Sequence, residues 1–241
     1  MKKITLFIIL ILVFTSCRGL LSRYIINKSD IKKDLKILKS DSTNQVIAFI
    51  PVVHVAKEQY YLDIRKIVDS LRNEGYIFYY ENMTHAPELD SVKQIIYDKK
   101  LRSILGYSSA LNDKNKSLPK IYNRKGYIKQ DYNLMGLNRN DTRLDMYKSQ
   151  VIDSIEKNRG EIKLSSCDLT TDLMEEYICD AKNSHLLFDL TNQYRDHYIV
   201  EKILELEEEK IALIYGKMHW SFIYAYLIKS DKKFYLHQGS L

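Results

Sequence analysis

Two stretches near opposite ends of the chain repeat one pattern, and that pattern narrows the fold more than any other feature of the sequence. Val46-Ile47-Ala48-Phe49-Ile50 is followed four residues later by His54, and Ile211-Ala212-Leu213-Ile214-Tyr215 is followed at the same offset by His219. Unbroken apolar runs with β-branched residues are what a strand buried on both faces requires. Helices covering both faces of a mostly parallel sheet produce such burial, so the runs predict an α/β domain.

Each run continues as a larger unit. After His54, Tyr61, Ile64, Val68 and Leu71 recur at helical spacing over 58–74, and Gly75 supplies a stop. Tyr76-Ile77-Phe78-Tyr79-Tyr80 then reads as a strand ending at Glu81. Strand, helix and strand in this order form a βαβ unit, which predicts two parallel neighbours. After His219, a helix over 220–228 and a strand over 233–237 complete a second unit. The expected fold is α/β: a mixed, mostly parallel sheet flanked by helices, built from two quasi-repeated strand, G-x-x-H, helix, strand units with a helical insertion between them. Helices are expected over 91–105, 143–158 and 186–208. The segment 106–140, rich in Asn, Lys, Ser, Asp and Tyr, reads as a surface excursion able to act as a lid. Residues 45–241 are expected to form a single domain, preceded over 17–44 by a polar tether with a short helix around Ile31, Leu35 and Leu38.

The first sixteen residues read as an address rather than as part of the fold. Met1-Lys2-Lys3 precedes an apolar run from Ile4 to Phe14, too short for the ~20 residues of a spanning helix but suited to a secretion signal. Phe14-Thr15-Ser16-Cys17 resembles a bacterial lipobox, in which the Cys is acylated and becomes residue one; Phe14 replaces the usual Leu. A lipid on Cys17 implies a membrane-anchored chain in the cell envelope, facing the periplasm or the exterior. Arg18, in place of an Asp that retains some lipoproteins at the inner membrane, favours the outer membrane. Without this leader, which carries two lysines, the 241-residue, +6 chain becomes 225 residues and +4. Its lysines are dispersed and no basic stripe alternates with aromatics, so nucleic acid is not an expected partner. Export also permits a disulfide between the remaining cysteines, Cys167 and Cys179; the alternative is two buried thiols.

Two parallel strands ending before His54 and His219 bring both imidazoles to the carboxyl edge of the sheet, where open α/β folds bind ligands. Glu81, ending the intervening strand, belongs to the same rim. Arg195 and Asp196 lie in the helix feeding the second His-bearing strand; they either reach that rim or pair with each other along the helix face. His85, four residues after Glu81, falls in a segment that Asn82, Thr84 and Pro87 mark as loop.

These residues together resemble the TraB/TIKI superfamily, which groups the TraB and GumN proteins, the TIKI proteases, the erythromycin esterases and the ChaN haem-binding lipoproteins. The resemblance spans 45–81 and 192–240 and places His54, Glu81, Arg195 and His219 at the family's site positions. Pro51 stands where the first motif has Gly, and Asp196 where Asn is common, whereas Gly216-Lys217-Met218-His219 is intact. It implies a hydrolase of peptide or ester bonds acting in one of two ways. His54, Glu81 and His219 could hold a divalent metal such as Mn²⁺, Co²⁺ or Zn²⁺ and activate its water. Without metal, a His or Glu81 would act as general base while Arg195 stabilises the oxyanion. The ChaN branch implies the alternative, a lipoprotein that binds haem or another small molecule without turnover.

Overall fold

The computed structural model describes residues 31–107 and 126–237. The leader 1–16 and Cys17 lie outside the described residues, as do 108–125 of the expected lid. In chain order the elements are α1 (Ile31–Asp34), β1 (Lys36–Ser40), β2 (Val46–Val52), β3 (Val55–Lys57), α2 (Glu58–Asn73), β4 (Ile77–Tyr80), α3 (Ser91–Leu105), β5 (Tyr127–Lys129), β6 (Thr142–Arg143), α4 (Lys148–Arg159), α5 (Ser166–Thr170), α6 (Tyr194–Glu205), β7 (Lys210–Gly216), α7 (Trp220–Leu227) and β8 (Phe234–His237). Among the described residues, no helix is long and apolar enough to cross a membrane.

Six strands form one mixed sheet in the order β6-β4-β7-β2-β1-β8. The β6/β4, β4/β7 and β7/β2 pairs are parallel, whereas β2/β1 and β1/β8 are antiparallel. The α/β architecture with a mostly parallel sheet is thus as the apolar runs require. The expected adjacency within each βαβ unit is not what forms. β7 inserts between β2 and β4, and β8 leaves β7 to pair with β1 at the far edge. The central position goes to the two most apolar strands, β2 and β7, which pair over their full lengths with Ile47 opposite Ile211 and Phe49 opposite Leu213.

Alternation along these strands sends successive side chains to opposite faces. Ala48, Ile50, Ala212 and Ile214 pack with Tyr61, Ile64, Val68 and Leu71 of α2. Ile47, Phe49, Ile211, Leu213 and Tyr215 pack on the other face with Ile199 and Ile203 of α6 and Ile223 and Leu227 of α7. Each fully buried aliphatic side chain of this kind contributes about 1.5–3 kcal/mol, so both helical layers are held by the same central strands. Pro51 lies inside β2 but past Phe49, where the β1 pairing stops, so one side of the strand has no ladder to complete there.

The segment expected as tether is partly sheet: Ile37 and Leu38 belong to β1, whose pairing to both β2 and β8 overrides the short helical spacing. The helix expected over 143–158 starts later, at Lys148, because Thr142 and Arg143 pair with β4 instead. The helix expected over 186–208 forms as one uninterrupted helical run that enters through a 3₁₀ turn (Ser184–Leu186), widens into a π segment (Asp189–Gln193), continues as α6 and ends at Glu205. Within the π segment the Thr191 hydroxyl donates to Leu187 O and the Asn192 amide to Asp196. The described part of the expected lid is packed rather than free. Met135 and Leu137 are buried with α2, and β5 pairs with β3. α3 and α4 enclose a smaller core of Leu101, Ile104, Val151, Ile152 and Ile155 with Leu190. Cys167 and Cys179 form a disulfide with Cα atoms 5.8 Å apart.

Candidate active site

β2 and β7 end side by side, and His54 and His219 follow them at the carboxyl edge of the sheet. Glu81 follows β4, the other neighbour of β7, and its N–H donates to Ile214 O at 3.0 Å. Three adjacent parallel strands thereby deliver three side chains to one rim.

Glu81 is buried and engages donors from three directions. Its Oε1 accepts from Arg195 Nη2 at 2.7 Å and lies 3.2 Å from His219 Nε2, while Oε2 accepts from the Gly216 N–H at 2.6 Å. Burial pushes its pKa up, but Arg195, then His219, more than offset this and hold the carboxyl well below its usual range. Glu81 is therefore a fixed carboxylate and a poor proton acceptor.

Arg195 is clamped on two edges. Nε donates to Asp145 Oδ1 at 3.0 Å and Nη2 to Asp145 Oδ2 at 2.7 Å as well as to Glu81. Burial works against its charge, and Asp145 first and Glu81 second outweigh that burden. Nη1 has no hydrogen-bond partner among the described residues, and Arg195 lines the cleft at the rim, so this nitrogen remains as a donor. Arg195 and Asp196 do not pair with each other: Asp196 Oδ1 lies 2.5 Å from His219 Nδ1.

With a carboxylate at each nitrogen, His219 is an imidazolium. Burial lowers its pKa, yet Glu81 and the hydrogen bonds to Asp196 and Glu81 raise it to about 9. His54 has different surroundings. It is exposed, and its Nδ1 lies 2.9 Å from Gln130 Oε1. An amide oxygen only accepts, so Nδ1 carries a hydrogen in this contact, and in the neutral ring the lone pair falls on Nε2. Gly216 makes this convergence possible. A Cβ placed on it would sit 3.0 Å from Glu81 Oε2, 3.4 Å from His219 Cδ2 and 3.6 Å from His54 Nε2. Its φ of −53° suits any residue, so the glycine is there for space.

The set expected to hold a metal does not fit one as arranged. Both His219 nitrogens are hydrogen-bonded to carboxylates, and both Glu81 oxygens are engaged by Arg195, His219 and Gly216, which leaves His54 Nε2 alone with an unengaged lone pair. Among the described residues no group of three or more His, Cys, Asp or Glu is placed to hold a metal ion.

A cleft of about 270 Å³ opens over this cluster, with His54, Glu81 and Arg195 on one part of its lining and Met83, Leu101, Leu105 and Leu190 on another. Four further residues shape the site without having been read from the sequence. Asp145 orients Arg195, Gln130 sets the His54 tautomer, the Tyr132 hydroxyl donates to Glu81 O at 2.6 Å, and Asn192 supports Asp196. None stands in a spaced motif, and Gln130 and Tyr132 lie in the segment read as a surface excursion. His85 is not part of the cleft lining; its Nε2 lies 3.0 Å from Asp98 Oδ2.

Fold and site together define an α/β protein with a buried carboxylate, guanidinium and imidazolium cluster at the carboxyl edge of its sheet, topped by one accessible imidazole. No family model, curated protein or solved structure matches the chain.

Proposed function

We propose that this chain is a hydrolase of peptide or ester bonds, exported and held at the cell envelope by a lipid on Cys17. The observation that carries the reading is the pairing of complementary groups in one cleft: the free lone pair of His54 Nε2 and the free Nη1 donor of Arg195. The resemblance of these residues to the TraB/TIKI pattern supports the same class.

In this reading His54 removes a proton from water as the oxygen attacks the substrate carbonyl. Arg195 Nη1 donates to the oxyanion that develops, from a guanidinium already fixed by Asp145 and Glu81, so little reorganisation is needed in the transition state. When the tetrahedral intermediate collapses, His54 returns the proton to the leaving oxygen or nitrogen. Glu81 and His219 touch neither reactant; they are positioning residues, with Glu81 holding Arg195 and His219 holding Glu81. A metal is not required by these steps.

The test is hydrolysis of generic p-nitrophenyl esters and peptides by the full chain extracted in mild detergent, with chelator and with added Mn²⁺, Co²⁺ or Zn²⁺. Activity that persists in chelator and falls ~10²–10⁴-fold in His54→Ala fits the general-base role. Activity that appears only with metal would replace it with the three-ligand scheme. Silence under every condition, together with a Soret band on haem addition, would replace the hydrolase with a ligand-binding lipoprotein.

A further inference from the structure

We infer that the cleft is an acyl-binding site and that the substrates are neutral esters or amides whose acyl group is a short to medium apolar chain. This rests on the hydrolase reading and names the substrate class of the same site. Met83, Leu101, Leu105 and Leu190 form the apolar part of the lining, contributed by the β4–α3 loop, α3 and the π segment. These residues share one small core with α4, so the walls belong to the packed insertion.

The charges of the lining are internally matched. Lys148 Nζ donates to Asp98 Oδ1 at 2.7 Å, with side-chain exposures of 13% for both partners, and Arg195 is matched by Asp145 and Glu81. A ligand in this cleft therefore meets Met83 and Leu105 in front of the buried Leu101 and Leu190, polar side chains at Asn82, Tyr107, Tyr132 and Thr191, a donor at Arg195 Nη1 and a base at His54, which fits a polar carbonyl group carrying an apolar chain and no net charge. At about 270 Å³ the cleft lies just below the ~300–1,000 Å³ range of ligand pockets, so it suits an acyl group rather than a length of polymer.

The π segment makes the geometry specific to this chain. A regular α-helix through 189–193 would place Leu190 and Thr191 differently; the π segment is where both reach the cleft.

The experiment is a p-nitrophenyl ester series from acetate to decanoate, assayed on the full chain. kcat/KM should rise about fourfold per added methylene until the cleft is full, then level or fall. In Leu105→Trp the decanoate-to-acetate ratio should drop at least tenfold, and in Met83→Ala it should move the other way, with melting curves confirming that both variants fold. A flat series, or a ratio unchanged in both variants, overturns the inference while leaving the hydrolase intact. If no ester is hydrolysed, the hydrolase reading has failed separately. Calorimetric binding of decanamide against acetamide then decides the cleft: tighter binding of the longer amide that weakens in Leu105→Trp supports it, and equal binding overturns it.

Discussion

Asp196 Oδ1 lies 2.5 Å from Nδ1 of His219, and this contact between two buried side chains ties α6 to the end of β7. A carboxylate with no exposed surface must be paired or hydrogen-bonded, and Asp196 is satisfied by His219 on one oxygen and Asn192 on the other. Because Glu81 faces the opposite nitrogen, the imidazole is charged, and the buried cluster alternates anion and cation through Asp196, His219, Glu81, Arg195 and Asp145.

That alternation predicts a specific pH dependence of stability. The His219 pKa is raised from 6.5 to about 9, so its stabilisation is fully present below about pH 6.5 and disappears as pH rises through about 9. The shift corresponds to about 3 kcal/mol at low pH, which is roughly 6–12 °C of melting temperature for a chain of this size. Glu81 acts with opposite sign: its pKa is lowered, so its contribution is present above the usual carboxylate range and lost only as pH falls through its folded value. Melting curves across this range should show an alkaline decline that flattens in His219→Gln. An unchanged alkaline slope in that variant would contradict the imidazolium.

Gly216→Ala separates space from backbone conformation. The backbone there accepts alanine, but the new methyl would meet Glu81 Oε2 at 3.0 Å, and that oxygen is held by the Gly216 N–H itself. Displacing the carboxylate moves Arg195 with it. We expect a loss of about 1–3 kcal/mol in urea unfolding and at least a tenfold fall in kcat with KM nearly unchanged. Wild-type stability and activity would show that the crowding relaxes freely.

Glu81→Gln keeps the shape and removes the charge. The amide cannot serve Arg195, His219 and the Gly216 N–H at once, because one of its two heteroatoms is a donor. Breaking a buried ion pair by removing one partner costs about 3–5 kcal/mol, and denaturant titration should show a loss of that order. A change below about 1 kcal/mol would mean that Asp145 alone suffices for Arg195 and Asp196 alone for His219.

The sheet was legible where burial left a continuous apolar run, as in Val46 to Ile50 and Ile211 to Tyr215. Pairing was not. Strand order depends on which surfaces meet across the sheet, and the sequence of one βαβ unit contains no sign that β7 will enter between β2 and β4. The same division holds at the site. His54, Glu81 and His219 follow strand ends, so strand periodicity brings them near one rim, whereas spacing left Arg195 between that rim and a pairing with Asp196. Asp145 and Gln130 follow β6 and β5, strands of two and three residues too short to carry a pattern, and they surface only once the chain is folded. The helical spacing of Leu186 to Glu208 does form a helix, as far as Glu205, but nothing in that spacing announces the π segment at Asp189–Gln193.

The disulfide offers a test at a distance from the chemistry. Cys167–Cys179 closes a short loop whose carbonyls at Asp168, Thr171 and Asp172 accept from the buried Arg102 guanidinium of α3. Leu101 and Leu105, on either side of Arg102 in the same helix, line the cleft. Opening the bridge should remove about 3 kcal/mol of stability by the loop-closure estimate, or roughly 6–12 °C. It should also loosen α3, since among the described residues Arg102 Nε has no hydrogen-bond partner, and the three carbonyls, with the Tyr177 ring of the same loop 5.1 Å from the guanidinium carbon, hold it in place. Cys167→Ser with Cys179→Ser is therefore expected to lower the melting temperature, to speed amide exchange in 99–105, and to weaken discrimination between long and short acyl esters more than it lowers turnover of the acetate. Mapping of the untreated chain by non-reducing mass spectrometry should recover the linked peptides. Recovery of both cysteines as free thiols from chain harvested from the envelope would remove the bridge, and with it the coupling between this loop and the cleft wall.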